Sequence, residues 1–117
     1  MRYGLGEQTV NKIRRVFAAH PSIEKAVLYG SRAKGNYKPG SDIDLTLHGD
    51  DLTSKELGMI TEELDDLLLP YQIDLSLFRQ ITHEGLKEHI ERVGVVFHQR
   101  EQQEKQSTEN SGENIIG

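Results

Sequence analysis

Three aspartates and one Gly-Ser pair are the residues of this chain whose types and spacing could do chemistry. Gly30-Ser31 opens the stretch GSRAKGNYKPGSDIDL, residues 30 to 45, and Asp42 and Asp44 stand near its end, one residue apart. Before it, Lys25-Ala26-Val27-Leu28-Tyr29 has the composition of a buried strand, and Ser31 to Lys34 can form a short helix that Gly35 ends. Strand, Gly-Ser, helix is a way to hold phosphate: the free N–H groups of a helix start point at an anion, and Gly30 has no Cβ to obstruct close approach. Ser31 either caps the helix or donates its hydroxyl to a phosphate oxygen. Arg32, Lys34 and Lys38 bring positive charge that could balance a triphosphate. By itself a Gly-Ser pair is usually no more than a capped turn. The aspartates change that.

In Asp42-Ile43-Asp44-Leu45-Thr46-Leu47-His48 polar and apolar residues alternate. Asp42, Asp44, Thr46 and His48 therefore share one face of a predicted strand, and Ile43, Leu45 and Leu47 the other. Residues two apart on a strand are separated by about 6.6 to 6.8 Å at Cα, so both carboxylates can reach one divalent cation or a pair of them. Without a counter-ion the two like charges raise each other's pKa and disfavour folding. The pattern recurs at Tyr71 to Phe78, with Gln72, Asp74 and Ser76 on one face. A helix-length segment separates the two strands. Such crossovers are parallel and right-handed, which brings Asp74 beside Asp42 and Asp44. The three form the expected metal site. The chain has no cysteine, so a metal would be held by oxygen or imidazole, which favours Mg²⁺ or Mn²⁺ over zinc.

Gly-Ser, ten residues, Asp-x-Asp, then a single Asp on a later strand resembles the signature of the DNA polymerase beta-like nucleotidyltransferase superfamily, and is most similar to its minimal nucleotidyltransferase branch. The resemblance spans residues 25 to 78. It implies an enzyme that transfers AMP from ATP to a hydroxyl. Ser31 would contact the triphosphate, with Gly30, Arg32 and Lys34 around it. Asp42 and Asp44 would hold two Mg²⁺ ions, and Asp74 would complete the metal site and help deprotonate the acceptor. The branch also implies a helical partner of the HEPN type, encoded nearby, in a hetero-oligomer. Some such pairs are toxin–antitoxin modules in which the nucleotidyltransferase adds AMP to a tyrosine of its partner. Two other readings stay open: the catalytic subunit of a two-chain enzyme acting on a small molecule or polynucleotide, and a non-catalytic module that holds nucleotide or partner. The intact motif counts against the last.

The elements that must position these residues are legible in outline. Residues 7 to 19 read as an amphipathic helix with Val10, Ile13, Val16 and Phe17 inward and Arg14 and Arg15 solvated. Lys38-Pro39-Gly40-Ser41 reads as a type II turn with Gly40 at positive φ. Thr53 and Glu56 make a capping box for a helix whose stripe is Leu57, Ile60, Leu64, Leu67 and Leu68, whose outer carboxylates Glu62, Glu63, Asp65 and Asp66 are solvated, and which Pro70 ends. A last helix runs from His83 to Val93, capped by Thr82, with Gly94 at C′; Val95 to Phe97 either adds a strand or simply packs. All five histidines read as structural, although His48 lies on the Asp face. The sum is an α/β domain: a small mixed sheet of three or four strands, helices on its apolar face and the carboxylates on the other.

With 117 residues, 35% hydrophobic and 28% charged, the chain reads as one soluble domain, residues 1–98, followed by a polar tail, 99–117, expected to be disordered. A net charge of −5 argues against non-specific nucleic-acid binding. No apolar run is long enough to span a membrane and no signal peptide is evident, so the expected location is the cytoplasm.

Overall fold

The structure, a computed structural model, describes residues 2–100. The elements in chain order are α1 (Glu7–Ala18), β1 (Lys25–Tyr29), α2 (Ser31–Lys34), β2 (Ile43–His48), α3 (Ser54–Asp65), β3 (Ile73–Leu77), a 3-10 turn (Phe78–Gln80), α4 (Glu84–Val93) and β4 (Val95–Gln99). The four strands form one mixed sheet in the order β3-β2-β1-β4. β2 and β3 are parallel, as the intervening helix requires, whereas β1 runs antiparallel to both β2 and β4. Val95 to Phe97 thus belongs to a strand. β4 runs on through Gln99, past the boundary expected at residue 98, and the Arg100 N–H donates to the Glu24 carbonyl at 2.9 Å. The rest of the expected tail, from residue 101, lies outside the described residues. No helix among the described residues is long and apolar enough to cross a membrane.

One face of the sheet carries the main core. Val10, Ile13 and Phe17 of α1 and Ile60 and Leu64 of α3 pack on Ala26, Leu28, Ile43, Leu45 and Leu47, all buried. The alternation in β2 dictates this, since Ile43, Leu45 and Leu47 can be buried together only on one side. The helices do not all lie there, however. Ile90 of α4 packs with Val27 and Tyr29 of β1 in a second, smaller cluster on the opposite face, the face that carries the aspartates.

Several local expectations change. The stripe of α3 ends at Leu64, because Pro70 forces Leu69 out of the helical region and the chain must turn first. Leu68 then takes a left-handed φ of 55° and is 87% exposed. Thr53 caps α3 by accepting from the Glu56 N–H at 3.1 Å, but the Glu56 carboxylate does not return the bond. It meets His20 Nδ1 at 3.0 Å instead, while Glu63 meets His20 Nε2 at 2.9 Å. Glu63 is therefore part of a bridge from the end of α1 to α3, and not simply solvated. Burial alone would lower the His20 pKa; Glu63 and Glu56 outweigh it and hold the imidazole above its ordinary value. Arg14 is half-buried too, its Nε donating to the Phe97 carbonyl at 2.7 Å. His83, not Thr82, caps α4, its Nδ1 accepting from the Leu86 N–H at 3.1 Å. Gly94 has φ −65° rather than a left-handed angle; what it supplies is space, since a Cβ there would meet the Ile90 carbonyl oxygen at 2.4 Å.

Candidate active site

Backbone pairing sets the geometry of the site. Tyr29 lies opposite Asp44, and Asp44 opposite Asp74, so the three form one row across β1, β2 and β3. The next row is Val27, Thr46 and Ser76. Adjacent strands are about 4.8 Å apart, so Asp44 and Asp74 start from neighbouring backbone positions on one face. Asp42 precedes β2 rather than lying in it and is exposed, as is Asp74; Asp44 is half-buried. Burial, then Asp74, then Asp42 push the Asp44 pKa above the ordinary carboxylate value, with Arg32 pulling against them. The three predicted carboxylates thus converge electrostatically on Asp44.

They do not form a closed ligand set. Among the described residues no group of three His, Cys, Asp or Glu side chains is arranged to hold a metal ion. In donor type the set fits a hard divalent cation: it is all oxygen, with Asp42 and Asp74 open to solvent on either side of Asp44.

The Gly-Ser turn meets the carboxylates directly. Gly30 caps α2 with φ 76°, an angle L side chains rarely adopt, and a Cβ there would lie 2.3 Å from Asp44 Oδ2. The close approach that glycine permits is therefore first of all to Asp44. Ser31 is the first residue of α2 and makes no capping bond; its half-exposed hydroxyl has no partner among the described residues. Gly35 ends the helix at φ 89°, as expected. Lys34 and Lys38 are exposed.

Arg32 differs most from expectation. It is 2% exposed and points away from solvent. Its Nη1 donates to the Tyr3 carbonyl at 2.9 Å, its Nη2 to the Ser41 and Pro39 carbonyls at 2.8 and 3.3 Å, and its Nε to Ser41 again at 3.1 Å. The guanidinium lies between the rings of Tyr37 and Tyr71, 5.3 and 5.0 Å from their centroids. These contacts ring the loop between α2 and β2. That loop's turn closes through the Ser41 N–H to the Lys38 carbonyl at 2.9 Å, and Gly40 is not at positive φ, so it is not type II. Arg32 thus holds the loop and contributes its field to Asp44, without a guanidinium edge open to a phosphate.

Two features of the site carry no mark in the sequence pattern. Tyr29 is 9% exposed and lies opposite Asp44 in the sheet; burial first, then the Asp74 and Asp44 carboxylates, push the pKa of its phenol up. Ser76 Oγ and Thr46 Oγ1 are 3.0 Å apart below the carboxylates. The alternating pattern puts Thr46 and Ser76 on the Asp face without pairing them, and Tyr29 adjoins Gly30; nothing marks the tyrosine as polar at its tip. His48 stacks on Phe78 at 4.6 Å between centroids, about 13 Å along β2 from Asp44, and does not border the site.

The family model described as "Polymerase beta, Nucleotidyltransferase" matches residues 11–103, most of the chain. The chain belongs to this family. No curated protein matches it. Among solved structures, a toxin–antitoxin complex with AMP-PNP is similar at TM-score 0.61 and 23% identity, covering 87% of this chain and 79% of that chain. The toxin–antitoxin pair MntA-HepT gives TM-score 0.59 at 20% identity, covering 86% and 78%. A complex of the tri-AMPylated Shewanella oneidensis HEPN toxin with its MNT antitoxin gives 0.59 at 20%, covering 86% and 76%. At these identities the likeness is one of fold. It is the polymerase beta nucleotidyltransferase fold, a four-stranded mixed sheet with helices.

Proposed function

We propose that this nucleotidyltransferase moves AMP from ATP to a tyrosine hydroxyl of a HEPN-type partner protein, as an antitoxin-like protein adenylyltransferase. The observation that carries the reading is the junction of phosphate turn and carboxylates: Gly30, Asp44 and Asp74 meet at one end of the sheet, with Ser31 and Asp42 beside them. Two of the similar complexes, one with AMP-PNP and one with a tri-AMPylated HEPN toxin, support the choice of nucleotide and partner.

In this reading the N–H groups at the start of α2 and the Ser31 hydroxyl seat the triphosphate, Lys34 screens it, and Arg32 keeps the loop in shape from behind. Asp74 takes the proton of the acceptor hydroxyl, whose oxygen forms a bond to the α-phosphorus as the bond to pyrophosphate breaks. Asp42, Asp44 and Asp74 would hold two Mg²⁺ ions, or Mn²⁺, which supply charge neutralisation at the attacking and leaving oxygens. Asp42 and Asp74 are exposed, so an acceptor carried on another protein can reach them. The reaction would take place in the cytoplasm, within a hetero-oligomer of the two proteins.

Intact-mass spectrometry after incubation with ATP, Mg²⁺ and a HEPN-type partner tests this. The partner chain should gain one or more AMP units, and Asp74→Asn should abolish the gain. An unmodified partner, together with efficient nucleotidylation of an aminoglycoside or an RNA end, would instead establish a two-chain enzyme with another acceptor.

A further inference from the structure

Asp42 lies one residue before β2 and is exposed, so its place depends on how the backbone on either side of it is held. Both sides are anchored. The Ile43 N–H donates to the Gln72 carbonyl at 2.9 Å, which ties the residue after Asp42 to the start of β3. The Ser41 carbonyl before it accepts from both Nε and Nη2 of Arg32, at 3.1 and 2.8 Å. That carbonyl shares one planar peptide unit with the Asp42 N–H, so fixing one fixes the other. The guanidinium is buried, and no carboxylate of the described residues forms an ion pair with it. A buried cation without a paired acid is costly, and an apolar side chain would fill the space at less cost. What this one provides is a rigid fork of donors, aimed at the Ser41, Pro39 and Tyr3 carbonyls. The third of these belongs to a separate segment. Arg2 and Leu5 exchange backbone bonds of 3.1 and 2.7 Å around Tyr3 and Gly4, whose φ angles are 58° and 75°. A tyrosine at positive φ persists only where its surroundings hold it. Here its ring meets Phe97 at 6.0 Å between centroids, and its carbonyl takes the Arg32 Nη1 bond. Gly4 lets the Tyr37 ring settle against this turn, since a Cβ would run into that ring, and the same ring faces the guanidinium.

We propose that Arg32 is a positioning residue for Asp42, and that the Arg2–Leu5 turn, by closing the cage around its guanidinium, is a working part of the same site. A change at Gly4 reaches Asp42 through Tyr37, Arg32 and the Ser41 carbonyl in turn. The proposal rests on the reading of the carboxylates as a cation site for its effect on binding, but not for its effect on the backbone at Asp42.

The test uses the full chain, Mn²⁺ in the presence of ATP as the probe, and three variants. Arg32→Lys keeps the charge and loses the fork, Gly4→Ala displaces the Tyr37 ring, and Phe17→Leu loosens the apolar face as a control. Mn²⁺ affinity in calorimetry should fall about tenfold or more in Arg32→Lys, the range for a residue that orients a metal ligand from behind. Gly4→Ala should lower it in the same direction by less. Phe17→Leu should leave it unchanged, even if its melting temperature is the lowest of the three. Without metal, hydrogen exchange at the Ile43 amide should quicken in Arg32→Lys and Gly4→Ala beyond any change at the α1 amides, and Phe17→Leu should not single it out. If Arg32→Lys does not fold, Gly4→Ala carries the decision. Mn²⁺ affinity that follows the melting temperature across the variants would overturn the proposal, as would Ile43 exchange that stays as in the wild type in Gly4→Ala. A wild type that binds no Mn²⁺ would defeat the cation-site reading instead, and the exchange comparison would still decide whether Arg32 and the turn hold Asp42.

Discussion

The two faces of the sheet are built on opposite terms. On one, α1 and α3 bury an unbroken layer of Ile, Leu, Val and Phe against β1 and β2. On the other, three buried residues, Val27, Tyr29 and Ile90, share the surface with three carboxylates that repel one another. A fully buried aliphatic or aromatic side chain contributes about 1.5 to 3 kcal/mol. The first face therefore supplies an excess from which the second can draw. The charged face is the one for which chemistry is proposed, and it is held in register by strands whose stability comes from behind.

Breaking the apolar face should have the largest effect on stability. Phe17→Ala removes a fully buried ring that meets Phe97 and His98 and should cost about 3 to 5 kcal/mol, read as a lower denaturant midpoint. Next comes the seam between turn and carboxylates. Gly30→Val places a branched side chain at φ 76° and into Asp44, and should cost on the order of 1 to 3 kcal/mol while abolishing nucleotide binding. Ser31→Ala should weaken nucleotide binding in calorimetry but leave the midpoint unchanged. Affinity unchanged from the wild type in both variants would place the nucleotide elsewhere.

On the charged face, removing a charge should have the reverse sign. In chelator, Asp44→Asn should stabilise the fold by no more than about 1 kcal/mol, read as a higher melting temperature. A raised folded-state pKa means that ionised Asp44 is a liability at neutral pH, relieved as pH falls through that pKa. The gain of the variant should therefore shrink on acidification. In the wild type, Mg²⁺ or Mn²⁺ with ATP should raise the melting temperature by binding the folded state, and Asp42→Asn should abolish that response.

The smallest effect belongs to His20, at the rim of the apolar face. Its pKa is raised, so its bridge to Glu56 and Glu63 is fully present below the ordinary histidine pKa and is lost as pH rises through the folded-state value. His20→Gln should cost about 1 kcal/mol or less in weakly acidic solution and progressively less above it. Urea midpoints at a series of pH values check this.

Legibility in the amino-acid sequence follows the same division. The strict alternation of β2 and β3 dictates which residues face which way, and the helix between them dictates the parallel pairing, so the meeting of Asp44 and Asp74 is legible in the residue pattern itself. Arg32 is not. A cation in a glycine-rich loop reads the same whether it faces a phosphate or is enclosed, and only the fold brings the Tyr3 carbonyl, Tyr37 and Tyr71 around it. Tyr29 reads as an apolar strand residue because its ring satisfies that pattern, while the sheet pairing that sets it opposite Asp44 belongs to the fold. The position of α4 on the carboxylate face is hidden for a similar reason: the stripe of a helix shows that it packs, not on which side.

The cage around Arg32 has a practical side. The chain contains no tryptophan and four tyrosines. Tyr37 and Tyr71 flank the guanidinium, Tyr3 lends it a carbonyl, and Tyr29 lies against the carboxylates. Three of the four rings, those of Tyr29, Tyr37 and Tyr71, are therefore spectators of the loop or the carboxylates, while the Tyr3 ring lies against Phe97 in the core. The unlabelled protein is its own optical sensor: a change in tyrosine emission on adding nucleotide or cation reports the neighbourhood of the site, with no background from a distant indole.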